Sequence, residues 1–211
     1  MKVNEIFLSI QGEGMESGLP TIFIRMSGCN LRCSWCDTKY AYYEGKEMEL
    51  SKILEKCKKF NVKRVCITGG EPLIQKQECI KLTKQLLKEE FNVLIETNGS
   101  ISISKIPKRA IISLDIKCPS SKMNKEISYD NLYLIKRRDQ VKFIIGNNQD
   151  YNFAKKIINK FNLDDRTNVI FQPVYNKLTK SLIKNILNDK LNVRLGLQLH
   201  KFIWDANQRA V

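Results

Sequence analysis

Three cysteines, Cys29, Cys33 and Cys36, stand close together in the stretch SGCNLRCSWCDTKY, which runs from Ser27 to Tyr40. Their C-x3-C-x2-C spacing is one thiol short of a closed structural zinc site and one more than a redox pair. Three thiolates can hold three irons of a cubic iron–sulfur cluster and leave the fourth iron open to an outside ligand. A three-cysteine zinc site is the alternative, with His200, the single histidine of the chain, as fourth ligand.

Other polar or glycine-rich pieces each follow an apolar run: TGGEP (Thr68–Pro72), ETNG (Glu96–Gly99), SLDIKCPS (Ser113–Ser120), QP (Gln172–Pro173) and QLHK (Gln198–Lys201). In a parallel β/α fold the carboxyl ends of all strands share one face. These pieces and the cysteine loop therefore converge on one cleft.

The elements that must position them show as alternating periodicities. Apolar runs of strand length are Thr21–Met26, Arg64–Thr68, Asn92–Thr97, Ala110–Ile116, Val141–Gly146, Asn168–Pro173 and Val193–Gln198, with Glu5–Ile10 packing beforehand at an edge. Between them Glu49–Phe60, Gln75–Glu90, Tyr151–Phe161 and Ser181–Lys190 carry apolar residues at helical intervals. The stretch SISISKIPKR is too short and too broken by proline for a full helix. A closed eight-unit barrel takes ~250 residues, and this chain has 211. The expected fold is α/β: one domain over residues 1–211, an open, partial (β/α) TIM-like barrel with about six parallel strands and reduced helices.

Composition narrows the function classes. The formal charge is +14, but lysines lie along nearly every polar helical face, without a basic tail or aromatic interleaving, so no direct nucleic-acid contact is expected. A positive field still favours small anionic ligands. The opening MKVNEIFLSI lacks a signal peptide's apolar core, and no apolar stretch approaches the ~20 residues that span a bilayer, so cytoplasmic residence without membrane contact is expected. The seven cysteines, an odd number, suit a reducing compartment. Cys57, Cys66, Cys79 and Cys118 are scattered singly and read as small core hydrophobes.

The cysteine triad, with Trp35 before its last member and GGEP just after the next strand, resembles the radical S-adenosylmethionine (SAM) superfamily. The resemblance implies that SAM chelates the open iron and that an electron from a [4Fe-4S] cluster cleaves it to a 5′-deoxyadenosyl radical. It narrows with FLSIQGEG (Phe7–Gly14), FIRMSGCNLRCSWCDT (Phe23–Thr38), TGGEP, ETNG and QLHKFIW (Gln198–Trp204). Across essentially the whole chain these are similar to the 7-carboxy-7-deazaguanine synthase family. That likeness implies ring contraction of 6-carboxy-5,6,7,8-tetrahydropterin to 7-carboxy-7-deazaguanine with loss of ammonia, dependent on SAM and Mg²⁺, in the pathway to queuosine and archaeosine.

Carried over position by position, the resemblance makes Cys29, Cys33 and Cys36 the cluster ligands and Thr38 the Mg²⁺ ligand. One protein oxygen suffices there, since Mg²⁺ keeps waters and takes substrate oxygens. SAM is met by Trp35, Cys36, Asp37, Gly70, Asp115, Ile116, Lys117, Gln172, Pro173, Val174 and Tyr175. The family more often has Ser-Pro-Lys where this chain has Asp115, Ile116 and Lys117. Substrate is met by Ile10, Gln11, Gly12, Arg25, Thr68, Glu96 and Val211, the last through a terminal carboxylate. Arg25 suits the substrate carboxylate because a guanidinium pairs with it bidentately, and strand alternation turns it away from Ile24. Glu96 suits the guanidine-like edge of the pterin. His200 either orients substrate or caps the last strand. No catalytic side chain is implied beyond cluster and SAM; the implied partners are the pterin, a flavodoxin or ferredoxin-type electron donor and a second copy of the chain. Two other readings stay open, an activase that installs a glycyl radical on a protein and a non-enzymatic zinc or iron–sulfur module that binds RNA.

Overall fold

A computed structural model describes residues 1–177, 180–205 and 208–211. Strand β1 (Lys2–Ile10) pairs antiparallel with β2 (Pro20–Met26), and the two-residue β3 (Lys46–Glu47) pairs with the start of β1. From β2 the sheet continues in parallel through β4 (Arg64–Gly69), β5 (Asn92–Thr97), β6 (Ile111–Ile116), β7 (Gln140–Ile145), β8 (Asn168–Pro173) and the two-residue β9 (Arg194–Leu195). The order β3-β1-β2-β4-β5-β6-β7-β8-β9 does not return on itself, so the barrel is open, with six full-length parallel strands as expected.

Helices α1 (Leu50–Lys59), α2 (Lys76–Lys88), α4 (Asn148–Phe161) and α6 (Lys180–Asn188) match the amphipathic segments, and the single turns α3 (Asn131–Leu134), α5 (Leu163–Arg166) and α7 (His200–Ile203) are additional. The local signals are physical. The Asn147 side chain accepts from Asp150 N at the start of α4, and Asn162 ends it in the left-handed conformation at φ 53°. Among the described residues no helix joins β5 to β6, where Pro107 breaks the segment.

Strand alternation splits the chain into two layers. Ile22, Ile24, Val65, Ile67, Val93, Ile95, Ile112, Leu114, Val141 and Phe143 pack outward against Ile53, Cys57, Leu82, Leu86, Ala154 and Ile158 of the helices. The opposite parity holds a small apolar plug, Phe7, Phe23, Cys66 and Leu94, with the Phe7 and Phe23 rings stacked at 5.0 Å. Cys57, Cys66, Cys79 and Cys118 are buried free thiols.

The expected strand over Val193–Gln198 is a correction. Only Arg194 and Leu195 pair with β8. The chain then leaves the sheet: Gly196 N still reaches Phe171 O at 2.9 Å, but Leu199 N bonds to Gly12 O at 2.9 Å, beyond the end of β1. A strand would have continued along β8; this segment crosses the mouth of the barrel instead.

Candidate active site

One residue further along the inner parity, β2, β4, β5 and β6 change from an apolar to a polar group. Phe23 is followed by Arg25, Cys66 by Thr68, Leu94 by Glu96 and Ile111 by Ser113, while β7 contributes Lys142 and β8 Gln172. The register sets Arg25 beside Thr68 and Glu96 beside Ser113. These groups line a cavity of ≈ 280 Å³ with the cysteine loop at its rim.

The loop and TGGEP fit together by close approach. Gly69 has φ 147°, and a Cβ there would meet Met26 O at 2.2 Å. A Cβ on Gly70 would meet Gly28 O at 2.1 Å and Cys29 Cβ at 2.8 Å, so only glycine lets β4 end beneath the cysteines. Glu71 N then donates to Gly28 O at 2.7 Å. The fully buried Glu71 carboxylate accepts from Leu73 N, Thr97 Oγ1 and Asn98 N at 2.9, 2.8 and 2.6 Å, tying the ends of β4 and β5 together. Burial pushes its pKa up despite those donors.

Cys29, Cys33 and Cys36 are half-buried free thiols at this rim. Burial raises the Cys29 thiol and pushes Cys33 up to about 11, against the pull of Lys117. Among the described residues no three His, Cys, Asp or Glu side chains converge as closely as a single metal ion needs, and His200 does not join the thiols. His200 packs on Gly12, where a Cβ would meet its Nδ1 at 2.1 Å, and burial lowers its pKa. The zinc set of three cysteines and His200 is therefore not assembled. Three half-buried free thiols lining the same cavity fit the donor set of a cubic cluster. Ser113 Oγ, Asp115 Oδ1 and Gln172 Oε1 are buried without partners and line the same cavity, which fits a polar ligand such as SAM.

Of the site residues expected from sequence, the structure brings together at this cavity Ile10, Gln11, Gly12, Arg25, Trp35, Asp37, Thr38, Thr68, Gly70, Glu96, Asp115, Lys117, Gln172, Pro173, Val174, Tyr175, His200 and Val211, with the cysteines. Ile116 is the exception. Alternation places its side chain in the outer core, fully buried, while Asp115 and Lys117 face inward and pair at 2.6 Å. Thr38 Oγ1 lies 3.7 Å from Cys36 Sγ. Glu96 Oε2 accepts from Thr68 Oγ1 at 3.0 Å, and burial raises its pKa. Arg25 Nε donates to Glu5 Oε1 at 2.7 Å, and Tyr40 OH reaches the same oxygen at 3.1 Å.

Sequence reasoning missed Glu13, Ser113 and Lys142. Lys142 is buried and pairs with Glu13, which also accepts from Gln198 Nε2 at 2.9 Å. Burial alone would raise the Glu13 carboxyl, but the Lys142 ammonium and both hydrogen bonds outweigh it and hold the pKa at about 2. Glu13 and Glu96 in turn keep Lys142 charged against burial. The signal was available: within VKFIIG a lysine at the inward parity of a buried strand needs a partner. The crossing segment closes the rim, since Lys201 Nζ reaches Asp37 Oδ2 at 2.6 Å and Gln198 Nε2 reaches the same oxygen at 3.3 Å. Arg209 stacks on Tyr40 at 3.7 Å and pairs with Glu44 at 2.8 Å.

Residues 23–162 match the Radical SAM superfamily. The chain is 35% identical over its full length, and the relative's, to the 7-carboxy-7-deazaguanine synthase of Koribacter versatilis. It is 43% identical to that of Methanospirillum hungatei, over 96% of this chain and 85% of the relative. The crystal structure of QueE from Escherichia coli superposes with a TM-score of 0.80 at 25% identity, covering 94% of each chain. With three thiols at the rim of an open parallel barrel and this similarity along its whole length, the chain belongs to the radical SAM superfamily and, within it, to the 7-carboxy-7-deazaguanine synthases.

Proposed function

We propose that this single domain, residues 1–211, converts 6-carboxy-5,6,7,8-tetrahydropterin to 7-carboxy-7-deazaguanine with release of ammonia, feeding 7-deazapurine synthesis. The observation that carries the reading is the inner ring of one polar group per strand, Arg25, Thr68, Glu96, Ser113, Lys142 and Gln172, beneath the cysteine rim. When bound, the cluster and SAM supply a 5′-deoxyadenosyl radical that removes hydrogen from the substrate.

The side chains bind and orient. Glu5 holds Arg25 Nε, so the remaining edge of the guanidinium serves the substrate carboxylate. Glu96 takes the paired N–H groups of the pterin, with Thr68 fixing its rotamer. Lys142, held charged by Glu13, is a fixed cation beneath the ring. Cys29, Cys33 and Cys36 hold the cluster. SAM lies along Trp35–Asp37, Gly70, Asp115, Lys117 and Gln172–Tyr175, with the free oxygens of Asp115 and Gln172 as acceptors. Thr38 offers its hydroxyl to Mg²⁺, whose other ligands are water and substrate oxygens. Ile10, Gln11, Gly12, His200 and Val211 complete the substrate wall.

The electron comes from a flavodoxin or ferredoxin-type donor, the chain acts as a homodimer, and its place is the cytoplasm. Among the described residues no helix is long and apolar enough to cross a membrane.

Anaerobically reconstituted protein with SAM, reductant, Mg²⁺ and the carboxypterin should yield 7-carboxy-7-deazaguanine and 5′-deoxyadenosine by mass spectrometry. Deoxyadenosine without the deazaguanine would keep the radical chemistry and refute the substrate.

A further inference from the structure

Helix α4 lies on the outer layer, yet its first turn carries a carboxylate that no part of the substrate reading uses. Asp150 is fully buried. Its Oδ1 accepts from Ser120 N at 2.8 Å, and its Oδ2 accepts from Gly146 N at 2.8 Å and from the Ser120 hydroxyl. Each carboxylate oxygen is thus aimed at the turn Pro119–Ser121 that follows β6 or at the end of β7.

That turn in turn grips the cysteine loop. Ser34 and Trp35 are the two residues between Cys33 and Cys36. Ser34 N donates to Ser121 O at 3.1 Å and Ser34 Oγ to Ser120 O at 2.7 Å, while Trp35 Nε1 donates to Ser120 Oγ at 3.3 Å. The Lys117 ammonium, from the residue that follows β6, sits 5.4 Å over the Trp35 ring. A Cβ at Gly146 would crowd this contact, meeting Ser120 Oγ at 2.9 Å and Asp150 Oδ2 at 3.2 Å.

We infer that Asp150 is a positioning residue for the cluster: through Ser120 it fixes Ser34 and Trp35 and hence the spacing of the Cys33 and Cys36 thiols. A carboxylate on two backbone N–H groups and a hydroxyl is a stiff anchor, because charge-assisted bonds are about twice as strong as neutral ones. Ser120 is the joint, accepting from Trp35 with the oxygen whose proton Asp150 holds. The inference rests on the cysteine loop holding the cluster, and it adds a part of the outer layer to the machinery.

Two variants test it, Ser120→Ala, which deletes the joint and keeps the backbone bond, and Asp150→Asn, which keeps the volume. Amide exchange over residues 33–36 is read in the apo chain, and the SAM-induced change in the electron paramagnetic resonance of the reduced cluster is titrated in the holoenzyme. Both variants should retain full iron content. Exchange at Ser34–Cys36 should quicken roughly tenfold, the worth of one lost hydrogen bond, and half-saturation with SAM should need roughly tenfold more. Ser120→Ala added to Asp150→Asn should add little, since the two lie on one path. Unchanged exchange and SAM titration in both variants would reduce Asp150 to a brace between α4 and the ends of β6 and β7 and overturn the inference. If the wild-type cluster shows no response to SAM, the cluster reading fails instead, and the exchange data on the apo chain still decide the clamp.

Discussion

Glu13 and Lys142 set the charge state of the cavity floor, and the pair has a pH signature. The folded Glu13 carboxyl, at about 2, lies below its ordinary value of 4.5. A depressed folded pKa contributes stability that is present above pH 4.5 and lost as pH falls towards 2. Urea unfolding of the apo chain should therefore weaken between pH 5 and 2 more steeply in wild type than in Glu13→Gln, which should already be destabilised at pH 7 by the unpaired Lys142. At the rim, Cys33→Ala should abolish SAM cleavage, read as 5′-deoxyadenosine. Thr38→Ala should leave cleavage within a few-fold and raise the Mg²⁺ needed for half-maximal product roughly tenfold, the loss of one ligand bond; an unchanged Mg²⁺ requirement would remove Thr38 from the metal site. The cysteines and Arg25 could be singled out from spacing and residue type, and the structure sets them at one cavity. Glu13 was not singled out because it looks like a surface charge, and Lys142, whose place in a buried strand called for a partner, has that partner 129 positions away in sequence.

Among the elements, the ends of β2, β4 and β5 form one unit, joined where Gly69 and Gly70 pass under the cysteine loop and Glu71 reaches the end of β5. Gly70→Ala would push a methyl into backbone, a collision that cannot be relieved by a rotamer. It should cost at least about 2 kcal/mol and lower iron bound per chain, whereas a mere turn glycine would leave iron content intact. Most elements could be read from their periodicity: buried parallel strands appear as apolar runs and the helices as amphipathic repeats. The last strand misled because VRLGLQ alternates correctly, but its backbone partners after Leu195 are Phe171 O and then Gly12 O, a choice made by the far side of the barrel. The short α3 and α5 carry too few residues for any period to show.

At the scale of the molecule, the open barrel is closed across its mouth by the segment after β9, pinned by Lys201 and Gln198 to Asp37 and by Leu199 to Gly12. Lys201→Met should loosen this closure. KM for the pterin should rise roughly three- to tenfold with kcat within about twofold, the pattern of lost uniform binding; a fall in kcat alone would place Lys201 in the chemistry instead. The ring of one polar side chain per strand has a further consequence for how the chain finds its fold. Sliding any strand by a single residue exchanges its two faces, so a slip of β2, β5 or β7 would drive Arg25, Glu96 or Lys142 into the apolar layer beneath the helices. The polar groups of the cavity thereby serve as proofreaders of strand pairing, and replacing one by an apolar residue, such as Thr68→Val, removes a safeguard against misalignment.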